Sequence, residues 1–221
     1  MTLLKLTHVS KTYQTGDVTF KALDDVSLEI GKGEFVAIMG PSGSGKSTLM
    51  HIAGCLDTPT SGKVFLEDED VSKLSEAKLA KIRNEKIGFV FQFFNLIPRT
   101  RTADNVSLPL VYQGLAPSKR KPKAIEVLEK LGLGHRASNF PNQLSGGEQQ
   151  RAAIARALIT NPSLIFADEP TGNLDSKSGH ETMEIFKKLN SEGRTIVLVT
   201  HDKEIAKYAK RMIKIRDGRI T

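Results

Sequence analysis

The sequence predicts an α/β domain in which a mainly parallel sheet carries a helical segment inserted between its strands. Three observations lead there. "EFVAIMG", Glu34 to Gly40, is nearly continuous in apolar residues, as a strand buried on both faces requires, and it runs directly into a glycine-rich loop and a helical stretch. "LIFADE" and "TIVLVTHD" are short apolar runs bounded by turn residues and separated by a helical pattern from about Ser176 to Glu192. That alternation suits parallel strands, whose crossovers must be long. From about Phe93 to Thr160 the strand character gives way to helix.

Taken in order, the chain opens with two short extended stretches, "LLKLTHVSK" and "DDVSLEI", and in the second Val26, Leu28 and Ile30 alternate with polar neighbours as in a half-buried strand. After "EFVAIMG" a helix is predicted over roughly Lys46 to Leu56. "KVFLEDEDV" and "KIGFVFQ" supply further strands. In "PKAIEVLEKLGL", Ala124, Val127, Leu128 and Leu131 fall on one helix face. The preceding basic cluster, Ser118 to Lys123, has no interleaved aromatics to stack on bases and reads as a solvated helix start. "MIKIRDGRIT" reads as a strand and turn. No internal repeat or long linker interrupts the chain.

Composition bounds the class. The 221 residues, 39% hydrophobic with 18 glycines, suit one sizeable globular domain. No apolar run approaches the roughly 20 residues that span a bilayer, and Lys5 and His8 interrupt any secretory core, so a cytosolic chain is expected. The single cysteine, Cys55, has no partner in the chain and is expected to be a small buried residue. A net charge of +7 and a pI near 9.4 fit a nucleic-acid binder, a protein at an anionic membrane surface or a lysine-rich enzyme, and do not choose among them.

Chemistry concentrates in a few motifs. "GPSGSGKST" matches G-x-x-x-x-G-K-[ST] between a buried strand and a helix, so Gly40, Ser42, Gly43, Ser44, Gly45, Lys46, Ser47 and Thr48 are candidates for a phosphate cradle. Its glycines let successive N–H groups face phosphate oxygens, Lys46 offers a mobile cation to the outer phosphates, and Ser47 is a candidate Mg²⁺ ligand. Asp168 ends a buried strand and is a second candidate metal ligand. Glu169 follows it, and adjacent strand side chains point opposite ways. For both carboxylates to serve one site the chain must turn there, and Pro170 with "TGNLD" supplies the turn. Glu169 is then the candidate general base for an attacking water. Gln92 and His201 each emerge from a buried strand, where open α/β sheets bind ligands. Gln92 is a candidate for both metal and attacking water, and His201 for the γ-phosphate. "QLSGGEQQRAAIARAL" adds paired glycines before a helix, a place for an anion, yet it has no lysine. Ser145 and Glu148 there form the S-x-x-E of a capping box, which turns the glutamate away from such an anion.

Together these residues resemble the ATP-binding subunits of ABC transporters over essentially the whole chain. "GPSGSGKST" is similar to the family's Walker A motif, Gln92 to its Q-loop, "LSGGE" to its signature, "LIFADE" to its Walker B with catalytic glutamate, "NLD" to its D-loop and His201 to its switch histidine, all in the family's order. The resemblance implies a P-loop NTPase fold over 1–221, with a mainly parallel core sheet, an N-terminal antiparallel β-subdomain and an inserted helical signature subdomain at about 93–160. It implies ATP and Mg²⁺ as ligands and Mg-dependent ATP hydrolysis. Tyr13 lands where the family stacks a ring on adenine, although a partly exposed strand tyrosine is the plainer reading. The missing lysine is explained if Ser145, Gly146 and Gly147 face the γ-phosphate held by Lys46 of a second copy, in an ATP-dependent homodimer with Asp175 across the interface. "GCLDTPTSG", "FVFQFFNLIP" and "ADEPTGNLDSKSG" are similar to the macrolide-efflux and lipoprotein-release (MacB/LolD-type) branch. That implies a membrane permease partner with an extracytoplasmic region, and a peripheral place on the inner face of the cell membrane. Phe93, Phe94, Leu96 and Ile97 either contribute to the groove that receives this partner or pack inside the helical subdomain.

Two other classes share the phosphate loop. DNA-repair and chromosome-associated ATPases insert a long coiled coil between the phosphate motifs, and no sustained heptads separate Lys46 from Ser145. Nucleic acid is therefore not expected as a partner. A small-molecule kinase would leave the signature stretch without a role.

Overall fold

In the computed structural model, which describes residues 1–221, β1 (Thr2–Thr15) and β2 (Val18–Gly31) form one long antiparallel hairpin. Both strands exceed the short stretches expected from alternation. Their outer halves, "TYQT" and "VTFK", are largely exposed, so no buried face marks them, and β-branched residues with a turn at Gly16 (φ 59°) carry the ladder on. "KVFLEDEDV" is not one strand but a tight hairpin. In it β4 (Ser61–Leu66) and β5 (Glu69–Asp70) flank Glu67 and Asp68, both left-handed (φ 50° and 67°), as a two-residue turn with matching twist demands.

The chain divides into two units, 1–83 with 189–221, and 84–188. In the first, an antiparallel sheet of order β2-β1-β4-β5 bears out the N-terminal β-subdomain. Beside it β3 (Phe35–Met39) lies parallel to β8 (Thr195–Val199) and β9 (Arg211–Arg216), and β10 (Arg219–Ile220) turns back antiparallel on β9. Phe35 to Ile38 and the whole of β8 are buried, which is why both read as unbroken apolar runs. Helix α1 spans Lys46–Ala53, and Cys55 just beyond it is buried as expected, in a left-handed conformation (φ 58°) that ends the helix. Burial also raises its thiol pKa to about 11.

The second unit holds β6 (Ile87–Phe91) parallel to β7 (Leu164–Asp168). Between them in sequence come α3 (Thr102–Tyr112), α4 (Pro117–Lys130) and α5 (Gly146–Leu158), which pack on one another around Ala103, Val106, Ala124, Leu128, Leu144 and Ala152. The predicted stripe on α4 is in this cluster, with Ala124 and Leu128 fully buried and Val127 and Leu131 at its edge. The basic cluster does open α4. Helix α6 (Ser176–Ser191) matches its expected span. Helix α2 (Glu76–Lys86) had no counterpart among the predicted elements, because only Leu79 and Ile82 are buried on a charged helix. In the first unit a four-residue helix, α7 (Lys203–Ala206), capped by Asp202, follows β8.

Candidate functional site

The phosphate loop of the first unit is shaped by β3 and its neighbours. Ile38 pairs with Val199 in a parallel register, so the segments leaving β3 and β8 emerge at one end of the sheet, Gly40 to Gly45 from the first and Thr200 with His201 from the second. Gly45 sits at φ 102°, where a side chain's Cβ would stand 2.6 Å from the carbonyl of Ala22, so this position accepts only glycine. Helix α1 begins at the next residue with no side-chain cap and no acidic residue in its first turn, leaving its N–H groups without a competing internal anion. The Lys46 amine donates to the carbonyls of Gly40 and Pro41, both at 2.8 Å, and so lies folded over the loop. Ser44 is 3% exposed and its hydroxyl has no protein partner. Ser42, Gly43 and Ser47 are exposed at the loop surface. Open amides, a mobile cation and an unpartnered hydroxyl are the donor set that a polyphosphate needs.

Tyr13 is 38% exposed on β1, directly opposite Phe20 on β2, which is itself 57% exposed. The phenol donates to Asp57 Oδ2 at 2.9 Å, and the Lys11 amine donates to Asp57 Oδ1 at 2.7 Å while standing 5.0 Å from the Tyr13 ring centroid. Burial and then the Asp57 carboxylate raise the phenol's pKa, so the ring stays neutral. Lys11 and Asp57 went unnoticed in the sequence; a charged pair separated by dozens of residues carries no local signal. His201 is exposed beyond β8, and buried Thr200 holds the turn by accepting from the Asp202 N–H at 3.1 Å.

In the second unit the parallel pairing of Phe91 with Asp168 puts Gln92 and Glu169 at the same carboxyl end of β6 and β7. Glu169 has φ 45°, left-handed for a residue with a full side chain. The expected turn after Asp168 is thus made by the glutamate itself, and the Gly172 N–H closes it on the Glu169 carbonyl at 3.0 Å. The Gln92 amide donates to Asn173 Oδ1 at 3.4 Å, and Asn173 donates back to the Gln92 carbonyl at 3.0 Å.

The tip of α5 carries the predicted capping box. Ser145 Oγ accepts from the Glu148 N–H at 3.3 Å, and the Ser145 N–H donates to Glu148 Oε2 at 2.8 Å. Arg136 holds the other glutamate oxygen at 2.9 Å, so both carboxylate oxygens are engaged within the chain. Gly147 lies against Ser178, where a Cβ would approach the hydroxyl to 2.9 Å. Asp175 is the cap of its own α6, accepting from the Ser178 N–H at 3.0 Å and its hydroxyl at 2.7 Å.

The apolar residues after Gln92 differ in burial. Leu96 packs against the helical cluster, while Phe93 and Ile97 are 72% and 43% exposed. Phe94 and Asn95 are left-handed in succession (φ 58° and 52°), and Arg156 of α5 donates to both their carbonyls at 2.8 and 2.5 Å. Fully buried Asn105 fastens the stretch beyond by accepting from the Ile97 N–H and donating to the Thr100 carbonyl. A polar residue inside a helix was the available signal for Asn105 and passed unread.

A family model described as ABC transporter matches residues 23–172, and the chain belongs to that family. It is 54% identical over 218 residues to an uncharacterized ABC transporter ATP-binding protein of Thermotoga maritima, covering 99% of this chain and 93% of that one. It is 56% identical over 216 residues to the macrolide export ATP-binding/permease protein MacB of Chlorobaculum tepidum, covering 98% of this chain but 33% of MacB. Among solved structures it is similar to the dimeric post-hydrolysis state of the ATP-binding cassette MJ0796 bound to ADP and Pi, with a TM-score of 0.91, 49% identity and coverage of 99% and 96%.

Proposed function

We propose that this chain is the ATP-binding and ATP-hydrolysing cassette of an ABC transporter or mechanotransmission complex of the MacB type, working as an ATP-dependent pair. The observation that carries it is the phosphate loop, with its uncapped helix, folded-back Lys46 and glycine-only Gly45, in a chain similar across its length to a cassette described with ADP and Pi. Lys46 would leave the Gly40 and Pro41 carbonyls to neutralise the outer phosphates, and Tyr13 would stack on adenine. Glu169 would orient and deprotonate the attacking water, a role worth about 10²- to 10⁴-fold. His201 would donate to the γ-phosphate.

Mg²⁺ suits the donors available. Mg²⁺ characteristically takes one or two carboxylates and completes its shell with substrate phosphates and water, and Asp168 at the end of β7 is such a carboxylate, with the neutral oxygens of Ser47 and Gln92 as further donors. Ser47, Asp168 and Gln92 would hold it. When bound, it supplies positive charge to the β- and γ-phosphates.

The tip of α5, with Ser145, Gly146 and Gly147, would complete the site of a second copy, and Asp175 would lie at that interface. A membrane permease with an extracytoplasmic region is the proposed load, received at the exposed Phe93 and Ile97. No helix of the chain is long and apolar enough to cross a membrane. The proposed place on the inner face is reached through that partner. The relatives named above are transporter proteins and lend no support to the nucleic-acid reading.

The test is the solution mass of Glu169→Gln with and without ATP. Association with ATP and its absence with ADP are expected. A monomer at every concentration, with ATP bound, would overturn the paired reading.

A further inference from the structure

Gln150 is an amide with no exposed surface, one turn into α5 from Gly146. Its Nε2 donates to the carbonyl of Pro170 at 2.6 Å, and its Oε1 has no protein partner. A buried amide satisfied on one side only is a poor way to hold a fold together, since an unpartnered oxygen costs about 1–3 kcal/mol. The group it does hold is informative. Pro170 directly follows Glu169, whose left-handed backbone (φ 45°) is a conformation that the surroundings must enforce. The same turn is bounded by the Gly172 N–H on the Glu169 carbonyl and the Leu174 N–H on that of Thr171. Gly147 against Ser178 and the Arg151–Glu181 pair join the α5 tip to α6 further along.

We propose that Gln150 is a positioning residue, which ties the anion-facing tip of α5 to the turn that aims Glu169. The claim rests on the ATPase reading above and deepens it. In a two-fold pair, the α5 tip and the Glu169 of one chain serve different nucleotides. The Gln150 hydrogen bond is then a short physical link by which occupancy of one site is felt at the general base of the other.

Gln150→Met keeps the length and apolar packing, removes the donor and also removes the unpartnered oxygen. The lost bond and the removed penalty oppose each other, so the thermal midpoint is expected to stay within about 4 °C of the parent. The kcat for ATP should fall about tenfold or more, as a misplaced base does, while KM and ATP-driven association in the Glu169→Gln background persist. Amide hydrogen exchange reads the same link without turnover: Gly172 and Leu174 should exchange faster in Gln150→Met while the amides of α5 stay protected. Unchanged exchange and kcat would overturn the proposal. Parallel loss of kcat, association and thermal stability would also overturn it, by showing a merely structural role. Absent turnover in the unsubstituted chain would count against the ATPase reading instead, and the exchange measurement would still decide the role of Gln150.

Discussion

Glu148 stands where a negative charge next to the proposed phosphate-facing tip of α5 looks out of place, and its hydrogen bonds explain the tolerance. The Ser145 N–H holds its carboxyl below the usual carboxylate range, outweighing the opposing effect of desolvation, with Arg136 assisting. A group whose folded pKa is depressed contributes stability above its unfolded pKa and loses it as pH falls through the folded value. Glu148→Gln keeps an oxygen for the Ser145 N–H but loses the charge. The variant should be less stable than the parent by about 1 kcal/mol at pH 7, and the gap should close as pH drops below about 4. Urea unfolding midpoints across that range check it, and a gap independent of pH would show that the carboxylate is not engaged. The same residue shows what could be read in advance. A capping box is complete within four residues, so S-x-x-E sufficed, whereas the Arg136 partner depended on how the chain returns to α5.

At the scale of elements, the segment from Gln92 to Thr100 is held by α3 and α5 through Asn105 and Arg156, and this sorts its apolar residues. Leu96 is turned into the helical cluster; Ile97 and Phe93 are left outside. Leu96→Asp sets a charge against apolar neighbours and should cost about 2 kcal/mol or more, while Ile97→Asp should stay within about 0.5 kcal/mol and keep its ATPase activity. Thermal unfolding of the two variants separates internal packing from presentation to a partner, and equal destabilisation would assign both residues to packing. Alternation cannot make this division, because two neighbours in an irregular loop have no period. Exposed strand ends escaped for a related reason. "TYQT" and "VTFK" extend the first hairpin without burying a face, whereas "EFVAIMG" and "TIVLVTHD" announced themselves because both faces are covered.

For the whole molecule, a site completed by a second copy has a consequence that no single chain can show. Lys46→Ala and Ser145→Arg are each expected to be inactive alone. Mixed, they form pairs in which one site joins the intact Lys46 of one chain to the intact Ser145 of the other. Up to about a quarter of the parent activity should return when the two are mixed equally, since half the pairs are mixed and each has one whole site, and less in so far as the blocked α5 tip is felt at Glu169 of the same chain through Gln150. Steady-state phosphate release measures it, and activity above that of either component establishes shared sites, while a silent mixture that also fails to associate with ATP would exclude them.

What the sequence determined by itself was everything whose cause lies within a few residues: the phosphate loop between strand and helix, the capping box, the turn required between Asp168 and Pro170, and the order of the motifs. Tertiary structure alone decided which distant groups the polar side chains meet. Asp57 takes Tyr13, Pro170 takes Gln150 and the Phe94–Asn95 turn takes Arg156 across sequence gaps of 44, 20 and 62 residues or nearly so. The reason is physical. A local motif is specified by backbone dihedrals and short-range hydrogen bonds, while a long-range polar partner is chosen by the packing that brings groups distant in sequence within reach of one another.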